Sequence, residues 1–186
     1  MAGFLVAQQI SDLIARGVLT SHSDGSLGPA SYQLRIGSYQ RTQRHSPEKL
    51  SPGEEVVLRP GGLALIGVME AVAFPNNIIG LLHLKSSFAR RGLLPWSQGI
   101  IEPGYRGGIT VVLHNHSGEY IPITGEESIC HLMFQTTDEA TNLPYEGSFQ
   151  NKPAPTQGTE GRALKVIGEL FERGVEGVTS GLMRST

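Results

Sequence analysis

Three stretches place chemically capable residues at close spacing. Lys85-Ser86-Ser87-Phe88-Ala89-Arg90-Arg91-Gly92 sets a lysine, two hydroxyls and two arginines beside a glycine. Such a set can gather phosphate oxygens, because Arg offers a bidentate fork, Lys a point charge and Ser a neutral donor. The same run also suits a solvated face. The second stretch runs from Gln98 through Ile101, Glu102, Gly104 and Tyr105 to Gly108. It reads as a glycine-rich hairpin carrying one acid and one tyrosine. Glycine lets a ligand approach the main chain, so backbone groups there can read a base edge. A plain β-turn is the alternative. The third stretch is Ile109–His114, followed by Asn115 and His116. Strand alternation puts Ile109, Val111 and Leu113 on one face and Thr110, Val112, His114 and His116 on the other. A His-x-His pair points both rings the same way, which suits a metal. Two polar residues leaving a strand at a turn is the other reading.

The elements that must position these groups are mostly short strands. Leu63–Met69, Ile78–Leu84, Ile109–His114, Tyr120–Ile123 and Ile129–Phe134 each have strand length. Pro60-Gly61-Gly62, Pro75-Asn76-Asn77, Pro103-Gly104 and Ser117-Gly118 punctuate them. This pattern predicts a mainly β fold: a sandwich, barrel or jelly roll. Val6, Ile10, Leu13 and Ile14 recur at helical spacing, and Gly17 stops the pattern, which predicts a helix over 4–16. Residues 18–60 are mixed, with turns at Gly28-Pro29 and Ser51-Pro52-Gly53. Residues 142–161 read as a loop or arm. Leu164, Ile167, Leu170 and Phe171 then predict an amphipathic C-terminal helix over 161–173. We divide the chain into residues 1–160, the β-rich domain, and 161–186, a helix and tail.

The chain has 186 residues, 39% hydrophobic and 17% charged, an ordinary globular composition. A net charge of −2 gives no support to nucleic-acid wrapping or a basic membrane anchor. Cys130 is the single cysteine. It can make no intrachain disulfide, and its apolar surroundings in sequence predict a buried, unreactive side chain. The start MAGFLVAQQISD lacks the basic flank and apolar stretch of a signal peptide. No run approaches the ~20 apolar residues of a membrane helix. A cytoplasmic protein is the expectation.

In order along the chain, these pieces resemble dCTP deaminase and, more distantly, dUTPase. Pro29-Ala30-Ser31-Tyr32-Gln33-Leu34-Arg35-Ile36-Gly37 resembles the family's P-A-S-x-D-L-R-L-G strand. Lys85–Arg90 resembles its R-S-S-L-A-R motif, with Lys85 for the first arginine. Gly99–Gly107 resembles both the deaminase I-D-P-G-W/Y-x-G hairpin and the dUTPase G-V-I-D-x-G-Y-R-G motif. Tyr145, Phe149, Gln150, Asn151 and Pro155-Thr156 resemble the C-terminal arm. The resemblance implies a distorted jelly-roll (β-clip, dUTPase-like) subunit in a homotrimer with sites shared between neighbours. It implies a deoxypyrimidine triphosphate ligand with Mg²⁺ on its phosphates, and no metal ligands from protein side chains. Lys85, Ser86, Ser87 and Arg90 are then expected at phosphate and base, and Gln98 and Ile101 at the base through their backbone. Tyr105 is expected on the deoxyribose, with Tyr145, Gln150 and Lys152 from the arm. Glu102 is the candidate catalytic acid.

The chain also departs from the pattern. It lacks the H-x-E…P-C-x-x-C signature of the zinc deaminases, so only the metal-free route of this family is open to it. That route needs a glutamate base ten residues beyond the hairpin acid, and Val112 stands there. The early-strand aspartate is Gln33, and a common hairpin arginine is Ile100. Glu102 replaces aspartate and adds about 1.5 Å of reach. The glycine-rich fifth dUTPase motif is not evident. The expected function is dCTP deaminase-like, dCTP plus water giving dUTP and ammonia. One alternative is a phosphohydrolase using Glu102 and Mg²⁺. The other is a nucleotide-binding or regulatory trimer without turnover.

Overall fold

The structure is a computed structural model that describes residues 2–41, 46–96 and 99–154. The expected helix over 161–173, the rest of the segment 161–186, Pro155-Thr156 and Gln98 lie outside the described residues.

The chain enters through a two-residue strand, β1 (Gly3–Phe4), and a helix, α1 (Ala7–Ala15). The helix begins three residues later than its periodicity predicts. Phe4 is drawn into a ladder with Gln135, and Val6 stays extended as the N-cap. The Gln9 side-chain oxygen accepts the Val6 N–H at 3.1 Å, satisfying one donor of the first turn. Gly17, at φ 77°, ends the helix as expected, and its N–H bonds the Ile14 carbonyl.

Short strands follow: β2 (Leu19–Thr20), β3 (Tyr32–Gln40), β4 (Glu48–Lys49), β5 (Glu55–Leu58), β6 (Leu63–Ala73) and β7 (Ile78–Leu84). A single helical turn, α2 (Ser86–Ala89), leads to β8 (Leu93–Pro95), β9 (Ile100–Ile101), β10 (Arg106–Asn115), β11 (Ile121–Thr124) and β12 (Ser128–Thr136). The strands expected from the sequence are all present, and three extend further than their apolar runs. The nine-residue β3 falls in the stretch that composition leaves mixed.

The main sheet runs β8-β10-β6-β3-β12-β7-β9, and β11 pairs with β5 apart from it. The fold turns on β3. Its first half, Tyr32–Arg35, pairs with β12, and its second half, Ile36–Gln40, pairs with β6. A register shift between Ile36 and Ser38 marks the switch. Such irregularities bend a strand and increase its twist, which curls the sheet around a core. Gly37 sits at this corner. A Cβ there would stand 3.0–3.2 Å from Met69, so the close crossing favours glycine.

The enclosed core includes Tyr32, Leu34, Ile36, Ile66, Phe74, Phe88, Leu113, Leu132 and Phe134. Cys130 joins it at 2% exposure, and burial pushes its thiol up to about 12. That matches the unreactive residue expected. Among the described residues, no helix is long and apolar enough to cross a membrane.

Candidate functional site

The basic motif forms where β7 runs into α2. Lys85 keeps extended backbone, its N–H bonded to the Ile129 carbonyl at 2.9 Å, and Ser86 starts the turn. Phe88 lies wholly inside the core and anchors that turn. Burial of a Phe side chain contributes about 1.5–3 kcal/mol. Ser86, Ser87 and Arg90 are left exposed. Arg90 donates to the Ser86 hydroxyl at 3.2 Å, and the Lys85 ammonium donates to the Gln33 side-chain oxygen at 2.7 Å. Two departures from the family pattern thus meet in one hydrogen bond. Arg91 leaves the group: it donates to the Pro122 carbonyl and lies 5.3 Å over the Phe88 ring.

The hairpin and the arm form a second group. Glu102 is exposed. The Tyr105 hydroxyl donates to the Gly108 carbonyl at 2.7 Å, and its ring meets the Tyr145 ring edge-on at 5.3 Å. Burial, and secondarily Tyr145, raises the Tyr105 pKa. Gln150 ties the arm down. Its amide donates to the Gly104 and Tyr145 carbonyls at 2.9 Å each, and its oxygen accepts the Arg106 N–H at 2.7 Å. The Lys152 carbonyl accepts the Gly108 N–H at 2.8 Å.

The glycines explain this close docking. A Cβ on Gly104 would come within 2.6 Å of Pro144, one on Gly107 within 2.6 Å of the Lys152 carbonyl, and one on Gly108 would overlap the Ala154 nitrogen. The close approach that the sequence pattern offers to a ligand is filled here by the chain's own arm. Gly99 is the open one of the hairpin, with Leu82 its nearest contact at 3.9 Å. Ile101 is buried and pairs with Gly80.

The third group lies on the outer face of β10. Val112 is 7% exposed and pairs with Leu65 across the ladder. Its carbonyl accepts the Trp96 N–H at 2.8 Å. Trp96 is 54% exposed and meets His114 edge-on at 5.8 Å, and His114 lies 6.0 Å from His116. The position where the family route needs a carboxylate is therefore buried, with Leu65 opposite it on β6 and the Trp96 backbone bonded to it on the other side. No cluster of three or more His, Cys, Asp or Glu side chains stands together among the described residues.

Two features escape sequence reasoning. Glu70 is fully buried in β6. It accepts from the Arg35 N–H at 2.9 Å and the Arg35 guanidinium at 2.7 Å, with the Tyr32 hydroxyl at 3.5 Å. Arg35 also donates to the Ser21 carbonyl at 2.5 Å, tying down the loop after β2. A lone acid inside the run Leu63–Ala73 was the available signal. Trp96 beside Val112 is the other, because their neighbourhood depends on β8 pairing with β10.

The hairpin tip and the arm do not meet the basic turn within one chain. The arm and the tip at Gly104 sit beyond the start of β7, where Gly104 N–H bonds the Pro75 carbonyl, and Lys85 lies past its end. At 3.3 Å per residue, Ile78 and Lys85 are about 23 Å apart.

Residues 4–137 match the family model described as dCTP deaminase-like. A Thermococcus sibiricus protein named dCTP deaminase is 34% identical over 128 residues, 69% of this chain and 81% of the relative. A Methanospirillum hungatei protein named dCTP deaminase, dUMP-forming, is 30% identical over 165 residues, 80% of this chain and 89% of the relative. Among solved structures, the Agrobacterium tumefaciens 2′-deoxycytidine 5′-triphosphate deaminase superposes with a TM-score of 0.64 at 21% identity. The match covers 73% of this chain and 49% of that one, about half its length, and speaks to the fold. With its curled β-sheet and motif order, the chain belongs to the dCTP deaminase-like family.

Proposed function

We propose that this protein binds a deoxypyrimidine nucleoside triphosphate, dCTP first, at a site shared between neighbouring copies of a homotrimer, and that it does not deaminate cytosine by a glutamate-base route. Val112 carries this reading. A general base must move a proton, and the side chain at that place is apolar, buried and backed by Leu65. His114 shares its face but stands two residues along the strand, about 6.8 Å away.

The binding groups are kept. Lys85, Ser86, Ser87 and Arg90 hold the phosphates, and backbone at Gln98, Gly99 and Ile101 reads the base. Tyr105 and Tyr145 flank the sugar, Lys152 adds a charge from the arm, and Gln150 positions that arm. The separation of the phosphate group from the hairpin tip supports a site drawing on two copies. Relatives named for dCTP support the choice of ligand.

Calorimetric titration tests the reading. The wild type is expected to bind dCTP more tightly than CTP. Arg90→Ala is expected to lose about 2 kcal/mol, roughly 30-fold, as a charged hydrogen bond to phosphate is removed. Equal binding by wild type and variant sinks the phosphate assignment.

A second reading has one observation in its favour. Glu102 is an exposed carboxylate on the hairpin, an oxygen donor of the kind Mg²⁺ accepts. Mg²⁺ carried on the ligand's phosphates supplies charge neutralisation when bound. Glu102 would then orient water toward the α-phosphate, releasing pyrophosphate. The dUMP-forming name of the Methanospirillum relative fits that outcome.

A further inference from the structure

A row of polar side chains crosses the outer face of β3, β12 and β7, outside the groups described so far. The ladders pair Gln33 with His131 and His131 with His83. Facing residues on antiparallel strands have Cβ atoms about 5 Å apart, so the two imidazoles stand side by side. Their chain neighbours Leu34, Leu132 and Leu84 point the other way, toward the core. The row therefore faces outward, with His83 exposed and His131 half-buried. Ser31 Oγ lies 3.1 Å from His131 Nδ1 and orients the ring.

The charge around this row is one-sided. Burial, then Lys85 and then His83 lower the His131 pKa. On β3 the facing groups, Ser31 and Gln33, are neutral. On β7 they are His83 and Lys85, and Arg90 follows past α2. Lys85 also reaches into the row through Gln33 at 2.7 Å. An ammonium beside two imidazoles repels a metal cation, and the arrangement calls for an anion. The adjoining row is apolar, with Met133 paired to Leu81 and Leu81 to Ile100.

We propose that His83 and His131 extend the phosphate-binding strip that begins at Lys85, holding the outer phosphates of a nucleoside triphosphate more tightly as the imidazoles protonate. This rests on the reading of Lys85, Ser86 and Arg90 as phosphate contacts. Bound phosphate favours the imidazolium form and opposes the burial and the Lys85 charge that lower the His131 pKa, so binding takes up protons and affinity rises as pH falls. The terminal phosphate itself loses charge near pH 6, which acts in the opposite direction. A rise in affinity must therefore come from the protein.

The probe is inorganic tripolyphosphate, titrated at low salt at about pH 8 and about pH 5.5. Wild type is expected to tighten about tenfold between them, and His83→Gln/His131→Gln less than about threefold. His83→Gln alone, at an exposed position, falls between and guards against misfolding of the double variant. A double variant that tightens as much as wild type overturns the role of the imidazoles, as does a wild type with no pH dependence. Lys85→Ala and Arg90→Ala identify a failure of the underlying reading. If both bind tripolyphosphate like wild type, the phosphate assignment falls, whatever the histidine variants do.

Discussion

Replacing Val112 with glutamate puts a carboxyl at the position where the family's base belongs, and the structure sets the cost. Val112 is 7% exposed, packed beside Leu65, with no cationic partner on its ladder. A glutamate there avoids burying its charge by staying protonated. At pH 7 that costs about 3.7 kcal/mol relative to an unfolded carboxyl of pKa near 4.3, and at pH 5 only about 1 kcal/mol. The sign follows from linkage. A raised folded pKa leaves stability intact below pH 4.3 and removes it as pH rises, so the variant is hurt more at neutral pH than in mild acid. Urea denaturation of Val112→Glu and wild type at both pH values reads the difference directly. Only the ionised fraction of that glutamate can take a proton, so dUTP formation from dCTP should appear and increase as pH rises, toward the about 10²–10⁴-fold that a positioned general base contributes. A stability loss that does not change with pH refutes the burial argument. A stable, pH-sensitive variant with no gain in deamination refutes Val112 as the base position.

Other outcomes are equally specific. Gly108→Ala should expel the arm, since its Cβ would overlap Ala154, and limited proteolysis should then cut within residues 143–154 faster than in wild type. Glu70→Ala should cost about 3–5 kcal/mol in denaturant unfolding, because it strands the Arg35 charge in a largely buried site. Glu102→Gln should abolish any Mg²⁺-dependent pyrophosphate release while leaving dCTP affinity within about threefold of wild type. Cys130, its thiol raised to about 12, should resist thiol reagents in native protein at about pH 8 and react only on unfolding. By the same linkage, its contribution to stability is intact below the unfolded thiol pKa and declines as pH rises above it.

Motif order was legible because it depends on short contiguous runs. Lys85–Arg90, the hairpin at Glu102 and the outward face of Val112 and His114 all stand where alternation and likeness put them. The halved role of β3 was not legible, because the switch at Gly37 is a tertiary event whose only local trace is one glycine. The fate of Gln150 was equally hidden. A glutamine in a polar arm reads as a ligand contact, yet here its amide holds two backbone groups of the hairpin, at Gly104 and Arg106, and one of the arm, at Tyr145. The row Gln33–His131–His83 joins residues far apart in the chain, and only the strand register brings them together.

Binding without deamination can be tested in both halves by one experiment. Purified protein is equilibrated by dialysis with labelled dCTP and Mg²⁺, and the nucleotide on each side of the membrane is then resolved by chromatography. The expected result is dCTP retained on the protein side and recovered without conversion to dUTP. Accumulation of dUTP with ammonia would contradict it and show that another group supplies the base that Val112 cannot.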